Sequence, residues 1–165
     1  TKRTSRTVVI SDGVIVNETI AQALPLLSQS LMKELSNKVG KLRFQPGETI
    51  IRSKENVEKF FMIAKGNVDV VLHGRGKDDL VISQLGMNDF FGEMELIRGG
   101  KSVASVRASS ENAVELLAIS REDFNWLMAE SPLTEKAIAD IVQKRLEEKK
   151  QSDRRKKRGL FGRKK

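Results

Sequence analysis

The chain has 165 residues, of which 39% are hydrophobic and 32% charged, with a formal net charge of +8 and no cysteine. This length suits one domain with a real core and an extension at each end, and no run approaches the ~18 apolar residues that a membrane-spanning helix needs. The lack of cysteine excludes disulfides and suits a cytoplasmic location, and a single histidine, His73, leaves no set of ligands for a metal.

The N-terminal part predicts a linker followed by two helices. Residues 1–16 are basic and rich in Ser and Thr, and we interpret them as a linker from a preceding segment. Asn17 or Thr19 is expected to cap a short helix, which Pro25 ends. A second, amphipathic helix ending near Gly40 is predicted by apolar residues at helical spacing: Leu27, Leu31, Leu35 and Val39.

Between residues 42 and 119 the apolar pattern changes to a period of two, which is typical of β-strands. Turn signals such as Pro46-Gly47 and Lys65-Gly66 separate the segments. Many short strands with glycine turns predict a β-sandwich, a barrel or a jelly roll. The predicted strands are 42–44, 49–52, 59–64, 67–72, 80–85, 102–108 and 113–120.

Two helices and a basic tail are predicted at the C-terminus. Ser120 has the character of an N-cap with Asp123 three residues later, and the apolar stripe of the last helix stops at Leu146. Residues 144–165 hold twelve Lys or Arg and three acidic residues, so the rest of the chain is close to neutral. We expect residues 149–165 to be a disordered tail that contacts an anionic membrane surface or a nucleic acid, or serves solubility alone.

Residues 91–108 combine the features of a binding site. A glycine turn, Phe91-Gly92-Glu93, leads into a short apolar helical turn, a Gly-Gly break and a strand. Free backbone N–H groups at such a turn favour an anion. Arg98 and Lys101 flank the break, and Glu93 stands where it could accept sugar hydroxyls. The stretch therefore indicates a pocket for a phosphate and a ribose.

This stretch resembles the phosphate-binding cassette of the cyclic-nucleotide-binding domain family. The resemblance covers about residues 20–146 and implies a mainly β fold with flanking helices: an eight-stranded jelly-roll β-sandwich with N-terminal helices and two C-terminal helices. It places the domain at residues 17–148, between the linker and the tail. Further matching segments follow in the order and spacing of the family: Leu24-Pro25-Leu26-Leu27-Ser28, Phe44-Gln45-Pro46-Gly47-Glu48-Thr49-Ile50, Ile63-Ala64-Lys65-Gly66-Asn67-Val68 and Ser120-Arg121-Glu122-Asp123-Phe124.

The resemblance also implies roles for the residues of the cassette. Glu93 would accept the ribose 2′-hydroxyl, while Gly92 and the N–H groups of Met94 and Glu95 would face the cyclic phosphate. Ser105 falls where the family often has a Thr or Ser that contacts the phosphate or the purine. The candidate ligand-binding residues are Phe91, Gly92, Glu93, Met94, Glu95, Lys101, Ser102, Val103 and Ser105.

Three positions depart from the pattern of this family, and at one of them Lys101 replaces the proline before the arginine. Ser102 stands at the position of the phosphate-pairing arginine, and Glu95 stands at that of a small residue. A serine donates one neutral hydrogen bond in place of a guanidinium fork, and a carboxylate opposes a nearby phosphate. Arg98 and Arg107 are the candidate cations that could compensate from another direction.

By this resemblance the chain is expected to be a non-catalytic regulatory sensor that binds a cyclic nucleotide, with cAMP as the first candidate. Its terminal helices would relay the presence of the ligand to a larger effector region, expected on the N-terminal side, and a homodimer would also suit the last helix. An enzyme is not indicated, because the sequence shows no nucleophile–base pair, metal set or catalytic glycine motif.

Two alternatives remain open. The first is a degenerate member of the family that binds no nucleotide and serves assembly or partner docking. The second is a fragment of a ligand-responsive transcription regulator, which would need a helix-turn-helix module after the last helix. Only a basic tail follows there, so specific DNA binding is not expected.

Overall fold

A computed structural model describes residues 7–9, 15–73 and 79–161 of the chain. Strands dominate its central part, and helices lie on both sides of them in the sequence. The described elements follow in this order: β1 Thr7–Val9, β2 Ile15–Asn17, α1 Glu18–Ala23, α2 Gln29–Ser36, β3 Gly40–Phe44, β4 Thr49–Ile51, β5 Lys59–Lys65, β6 Val68–His73, β7 Asp79–Leu85, β8 Phe90–Phe91, α3 Glu93–Arg98, β9 Ser105–Ala108, β10 Val114–Ser120, α4 Arg121–Glu130 and α5 Pro132–Phe161.

Eight of these strands form two four-stranded antiparallel sheets. The first sheet has the order β3-β10-β5-β8 and the second the order β4-β9-β6-β7. Neighbours in each sheet come from distant parts of the chain, as in the pairing of Leu117 on β10 with Met62 on β5. The predicted eight-stranded β-sandwich with flanking helices is therefore confirmed.

The two central strands of the first sheet are buried on both faces. Leu116 on β10 points into a core shared by the two sheets, whereas its neighbour Leu117 points into a second core formed with α1, α2, α4 and α5. The same alternation separates Phe61 from Phe60 on β5. Since successive residues of a strand face opposite sides, one sheet joins the sandwich to its helical layer.

The capping predictions are confirmed at two helices. The Asn17 side chain accepts a 2.8 Å hydrogen bond from the Thr19 N–H at the start of α1. Ser120 Oγ accepts a 3.1 Å hydrogen bond from the Asp123 N–H at the start of α4. These bonds satisfy N–H groups that have no partner within the helix.

The structure differs from the sequence predictions at both ends of the chain. β1 pairs with β2 through Val9 and Ile15, within the expected linker. At the other end α5 continues to Phe161, where a disordered tail was expected from residue 149. Lys, Arg, Glu and Gln are good helix formers, and residues 149–161 contain no proline to stop a helix that is already packed. Among the described residues no helix combines the length and apolar character of a membrane span.

Candidate functional site

A cavity of about 60 Å³ lies where the second sheet meets α3 and α5. Its wall is mainly apolar, and it comes from strands β4, β6, β7, β8 and β9, from α3 and from the segment before β9. The apolar lining residues are Ile51, Val70, Ile82, Leu85, Phe91, Met94, Ala104 and Val106. The polar and charged lining residues are Ser83, Glu93, Glu95, Ser102, Arg145 and Glu148.

Gly92 makes the turn that directs the cassette into the cavity. It has a φ of 95° and lies between β8 and α3, at the N-cap position of the helix. A Cβ atom at this position would lie 2.6 Å from the carbonyl oxygen of Lys59. Phe91, just before the turn, is fixed by stacking on Phe61 with ring centroids 5.0 Å apart. Only glycine fits here, and the turn sends Glu93 inward.

Replacing Gly92 with alanine is expected to destabilise the protein by about 3 kcal/mol or more, because strain at positive φ adds to a clash with backbone. The matched control is Gly47→Ala, since Gly47 also has a positive φ of 80° but nothing lies within 4 Å of an added Cβ. Urea unfolding of the two variants measures the difference. Equal loss of stability in both would contradict the importance of the contact with Lys59.

Glu93 is a buried carboxylate with one oxygen paired. Only 1% of its surface is exposed, and Oε2 accepts a 2.6 Å hydrogen bond from Nη1 of Arg145 on α5. Burial raises the pKa of Glu93, and the positive charge of Arg145 opposes this effect. The other oxygen, Oε1, is buried and has no hydrogen-bond partner among the described residues. Buried acceptors are costly without a donor, so Oε1 indicates a place for one.

Ser102 and Glu95 also line this cavity, at the positions where the cassette departs from its family. Ser102 is buried, and its hydroxyl donates a 2.5 Å hydrogen bond to the Ala104 carbonyl. Its donor is therefore used within the chain. Glu95 is half-buried and brings a second carboxylate beside Glu93. An anion on this side of the cavity would therefore lie near negative charge, with no cation beside it.

Other predicted site residues lie outside the cavity lining. Lys101 is exposed and forms a β-bridge with Asn56, and 60% of Val103 is exposed. Arg98, the last residue of α3, is also exposed. Arg107 is half-buried on β9 and does not line the cavity. Arg98 and Arg107, the two candidate compensating cations, therefore do not lie where they could contact a phosphate in the cavity.

Ser105 belongs to a separate polar cluster. A 2.8 Å hydrogen bond joins its Oγ to Nε2 of His73, and the same oxygen accepts a 3.0 Å bond from the Ser53 N–H. His73 Nδ1 lies 2.9 Å from Asp79 Oδ1. The Ser105 hydroxyl is thus engaged by His73 on β6 and by the turn after β4, and it does not line the cavity.

Sequence reasoning missed the contribution of α5 to the site. Arg145 and Glu148 line the cavity from this helix, whereas the sequence prediction gave the helix a role in relaying the ligand but named none of its residues as site residues. Arg145 follows Ile141 by four residues and Ile138 by seven. This spacing puts the three side chains on one face of the helix. The presence of a cation, Arg145, on the apolar face of this helix is the sequence feature that could have indicated its place in the site.

Comparison with known proteins identifies a family over the central part of the chain, which includes the cassette. The family described as Cyclic nucleotide-binding domain matches residues 41–131. The human potassium/sodium hyperpolarization-activated cyclic nucleotide-gated channel 4 is 30% identical over 131 residues, which is 78% of this chain and 10% of the channel. The chain thus spans about a tenth of the length of the curated relatives that it matches.

Two solved structures of regulatory subunits of a cAMP-independent protein kinase A show the same fold. The Trypanosoma brucei protein, in a triple mutant bound to cAMP in its A site, is 24% identical with a TM-score of 0.66. The match covers 78% of this chain and 49% of that one. The Trypanosoma cruzi protein, bound to guanosine, is 24% identical with a TM-score of 0.65, and 74% of this chain matches 44% of that one.

Proposed function

Because this chain belongs to the cyclic nucleotide-binding domain family, we propose that it is a non-catalytic regulatory sensor for a ribose-bearing ligand. The ligand enters the cavity between α3, α5 and the second sheet. The observation that carries this proposal is the buried Glu93, with one oxygen paired to Arg145 and the other without a donor. A ligand hydroxyl would supply that donor.

The chemistry of Glu93 suits a sugar. An ionised carboxylate only accepts hydrogen bonds, and bonds to charged acceptors are worth about 1.5–3 kcal/mol. Glu93 shares the cavity with apolar side chains of β6 and β7, including Val70, Ile82 and Leu85, which suit the face of a base. The cavity holds only a few water molecules as it stands, so lining side chains must move to admit a nucleoside.

The charges around the cassette favour an uncharged nucleoside over the cAMP expected from the sequence. A cyclic phosphate would lie near the Glu95 carboxylate, and the Ser102 hydroxyl already donates its hydrogen bond to the Ala104 carbonyl. The one cation that lines the cavity among the described residues, Arg145, is paired with Glu93. Burying a phosphate without a cation costs several kcal/mol, whereas a nucleoside brings no such charge.

The Trypanosoma brucei mutant offers a parallel in sequence spacing. In that protein alanine replaces a glutamate, arginine replaces a threonine seven positions later, and alanine replaces the valine that follows; the mutant is bound to cAMP. This chain has Glu95, Ser102 seven positions later and then Val103. The overall likeness concerns the fold, but the shared pattern of an acid, a hydroxyl and a valine at the same spacing supports a ligand other than cAMP for this chain.

Isothermal titration of the whole chain tests the proposal. We expect guanosine, inosine or adenosine to bind at least tenfold more tightly than cAMP or cGMP, because a nucleoside escapes the repulsion by Glu95. Tighter binding of cAMP would support the cyclic nucleotide expected from the sequence instead. Binding of none of the five would favour the degenerate alternative, a domain for assembly or partner docking.

The wider setting of the sensor is also proposed. The relatives it matches are much longer, so we propose that residues 17–148 act on a larger effector region in a cytoplasmic setting. The signal would pass through α5, which contributes Arg145 and Glu148 to the site. A homodimer and a contact of residues 149–165 with an anionic membrane stay predictions.

A further inference from the structure

We propose that the chain has a second ligand site, at one end of the first sheet, for a small organic anion that bears a hydroxyl group. The site is a cavity of about 370 Å³ where β3 and β5 end and β10 begins. Among the described residues it shares no lining residue with the cavity that contains Glu93, so it goes beyond the nucleoside sensor proposed above. The lining residues are Arg43, Lys65, Gly66, Asn112, Ala113 and Glu115.

Glu115 is the buried acceptor of this second cavity. Its side chain is only 5% exposed, and Oε1 is buried without a hydrogen-bond partner among the described residues. The other oxygen, Oε2, lies 3.8 Å from Nη1 of Arg43, which is too far for a hydrogen bond. A buried carboxylate oxygen without a donor is costly. A ligand in the cavity can supply that donor.

Two cations lie beside Glu115 on the neighbouring strands. The register pairs Glu115 on β10 with Arg43 on β3 and with Lys65 on β5. Arg43 and Lys65 are exposed and both line the cavity, so solvent and a ligand can reach their charged groups. Since the two cations outnumber the one carboxylate of the lining, the cavity carries a net positive charge and favours an anion.

The buried acceptor and the two cations together define the chemistry of the ligand. An ammonium group would also donate a hydrogen bond to Glu115, but Arg43 and Lys65 would repel it. A hydroxyl group donates a hydrogen bond and carries no charge. An anionic group on the same molecule then pairs with the cations, because an arginine donates two parallel hydrogen bonds to a phosphate or a carboxylate. The exposed amide of Asn112 adds a further donor and acceptor.

The cavity has a fixed wall and room for such a ligand. Gly66 lies in the turn between β5 and β6 with a φ of 92°, and a Cβ atom there would lie 2.6 Å from the carbonyl oxygen of Ala113. This close approach holds the turn against the segment that leads into β10. The volume of about 370 Å³ lies within the range of small-molecule sites, so a molecule of the size of glycerol 3-phosphate has room in it.

Titration of the whole chain with four probes tests the site. We expect glycerol 3-phosphate or glycerate to bind at least tenfold more tightly than sulfate, which has no hydroxyl group, and than glycerol, which has no charge. The amide shifts of Lys65, Gly66 and Asn112 in NMR spectra locate the binding. Tighter binding of glycerol 3-phosphate would support an organic phosphate as the ligand, and tighter binding of glycerate would support a hydroxy acid.

Glu115→Leu removes the acceptor and is expected to lower the affinity for glycerol 3-phosphate at least tenfold. Its affinity for sulfate should stay the same or rise, because the substitution also removes a negative charge from the cavity. These opposite changes distinguish a hydrogen bond to the ligand hydroxyl from simple attraction of anions by Arg43 and Lys65. Glu115→Gln keeps the shape of the side chain without its charge, and should change both affinities in the same directions if Glu115→Leu does not fold.

The matched control is Glu111→Gln, which removes a carboxylate from an exposed residue close to Glu115 in sequence but outside the cavity lining. Its affinity for glycerol 3-phosphate should stay within twofold of the wild type. Wild-type affinity for this probe in the folded Glu115 variants would overturn the inference. Failure of the wild type to bind either hydroxylated anion, or amide shifts confined to the cavity of Glu93, would also overturn it. These results would leave the proposed nucleoside sensor standing, because Glu93 lies in the other cavity.

Discussion

Glu93→Gln is expected to lower the affinity for guanosine or inosine at least tenfold. The amide keeps the shape of the side chain but not its charge, so a charge-assisted bond to the ribose hydroxyl is lost, at a cost of about 1.4 kcal/mol or more. The change also leaves the Arg145 guanidinium without its ion partner. Isothermal titration at neutral pH measures the effect.

The matched control for this substitution is Glu122→Gln, which removes a carboxylate from the exposed face of α4. Its affinity should equal that of the wild type. Removing the ribose 2′-hydroxyl provides a second check, because a 2′-deoxynucleoside should bind weakly to the wild type and lose little more in Glu93→Gln. Unchanged guanosine affinity in Glu93→Gln would mean that the ligand binds elsewhere.

The triple substitution Glu95→Ala, Ser102→Arg and Val103→Ala is expected to create cAMP binding that is at least tenfold tighter than in the wild type. It removes a carboxylate from the phosphate position and adds a guanidinium, which pairs with phosphate through two parallel hydrogen bonds. Titration with cAMP and guanosine in parallel measures the change in preference, and cAMP should gain relative to guanosine.

A lysine variant identifies the cause of that gain. Combining Glu95→Ala and Val103→Ala with Ser102→Lys restores the positive charge without the planar fork, so it should recover only part of the cAMP affinity. If the arginine and lysine variants bind cAMP equally, net charge and not bidentate geometry controls selectivity. A wild type that already binds cAMP as tightly as the triple variant would contradict the exclusion of phosphate.

Local patterns in the sequence predicted most of the strands and helices, whereas the resemblance to a family selected the β-sandwich among the folds that those patterns allow. The alternation of Leu116 and Leu117 on β10 marks a strand with two buried faces, and Asn17 and Ser120 mark helix starts that the structure confirms. β8 was missed because two residues, Phe90 and Phe91, are too few to show a period. Strand β9 begins at Ser105 and not at residue 102.

Only the part of the candidate site that lies within one continuous stretch of sequence could be predicted. Gly92 and Glu93 are adjacent, and a turn brings both to the cavity. Arg145 reaches the site by the packing of a helix about fifty residues later, and no local pattern states where that helix lies. Ser105 illustrates the converse, because its bond to His73 depends on two strands that are not neighbours in sequence.

The length of α5 allows a small movement at Arg145 to become a larger movement at the far end of the helix. The helix runs unbroken from Pro132 to Phe161, which at 1.5 Å per residue is about 45 Å. Arg145 lies about 20 Å along it and the far end about 43 Å. If the helix pivots at Pro132, a 1 Å displacement at the guanidinium becomes about 2 Å at Phe161. The far end of the helix therefore amplifies small movements at the ligand.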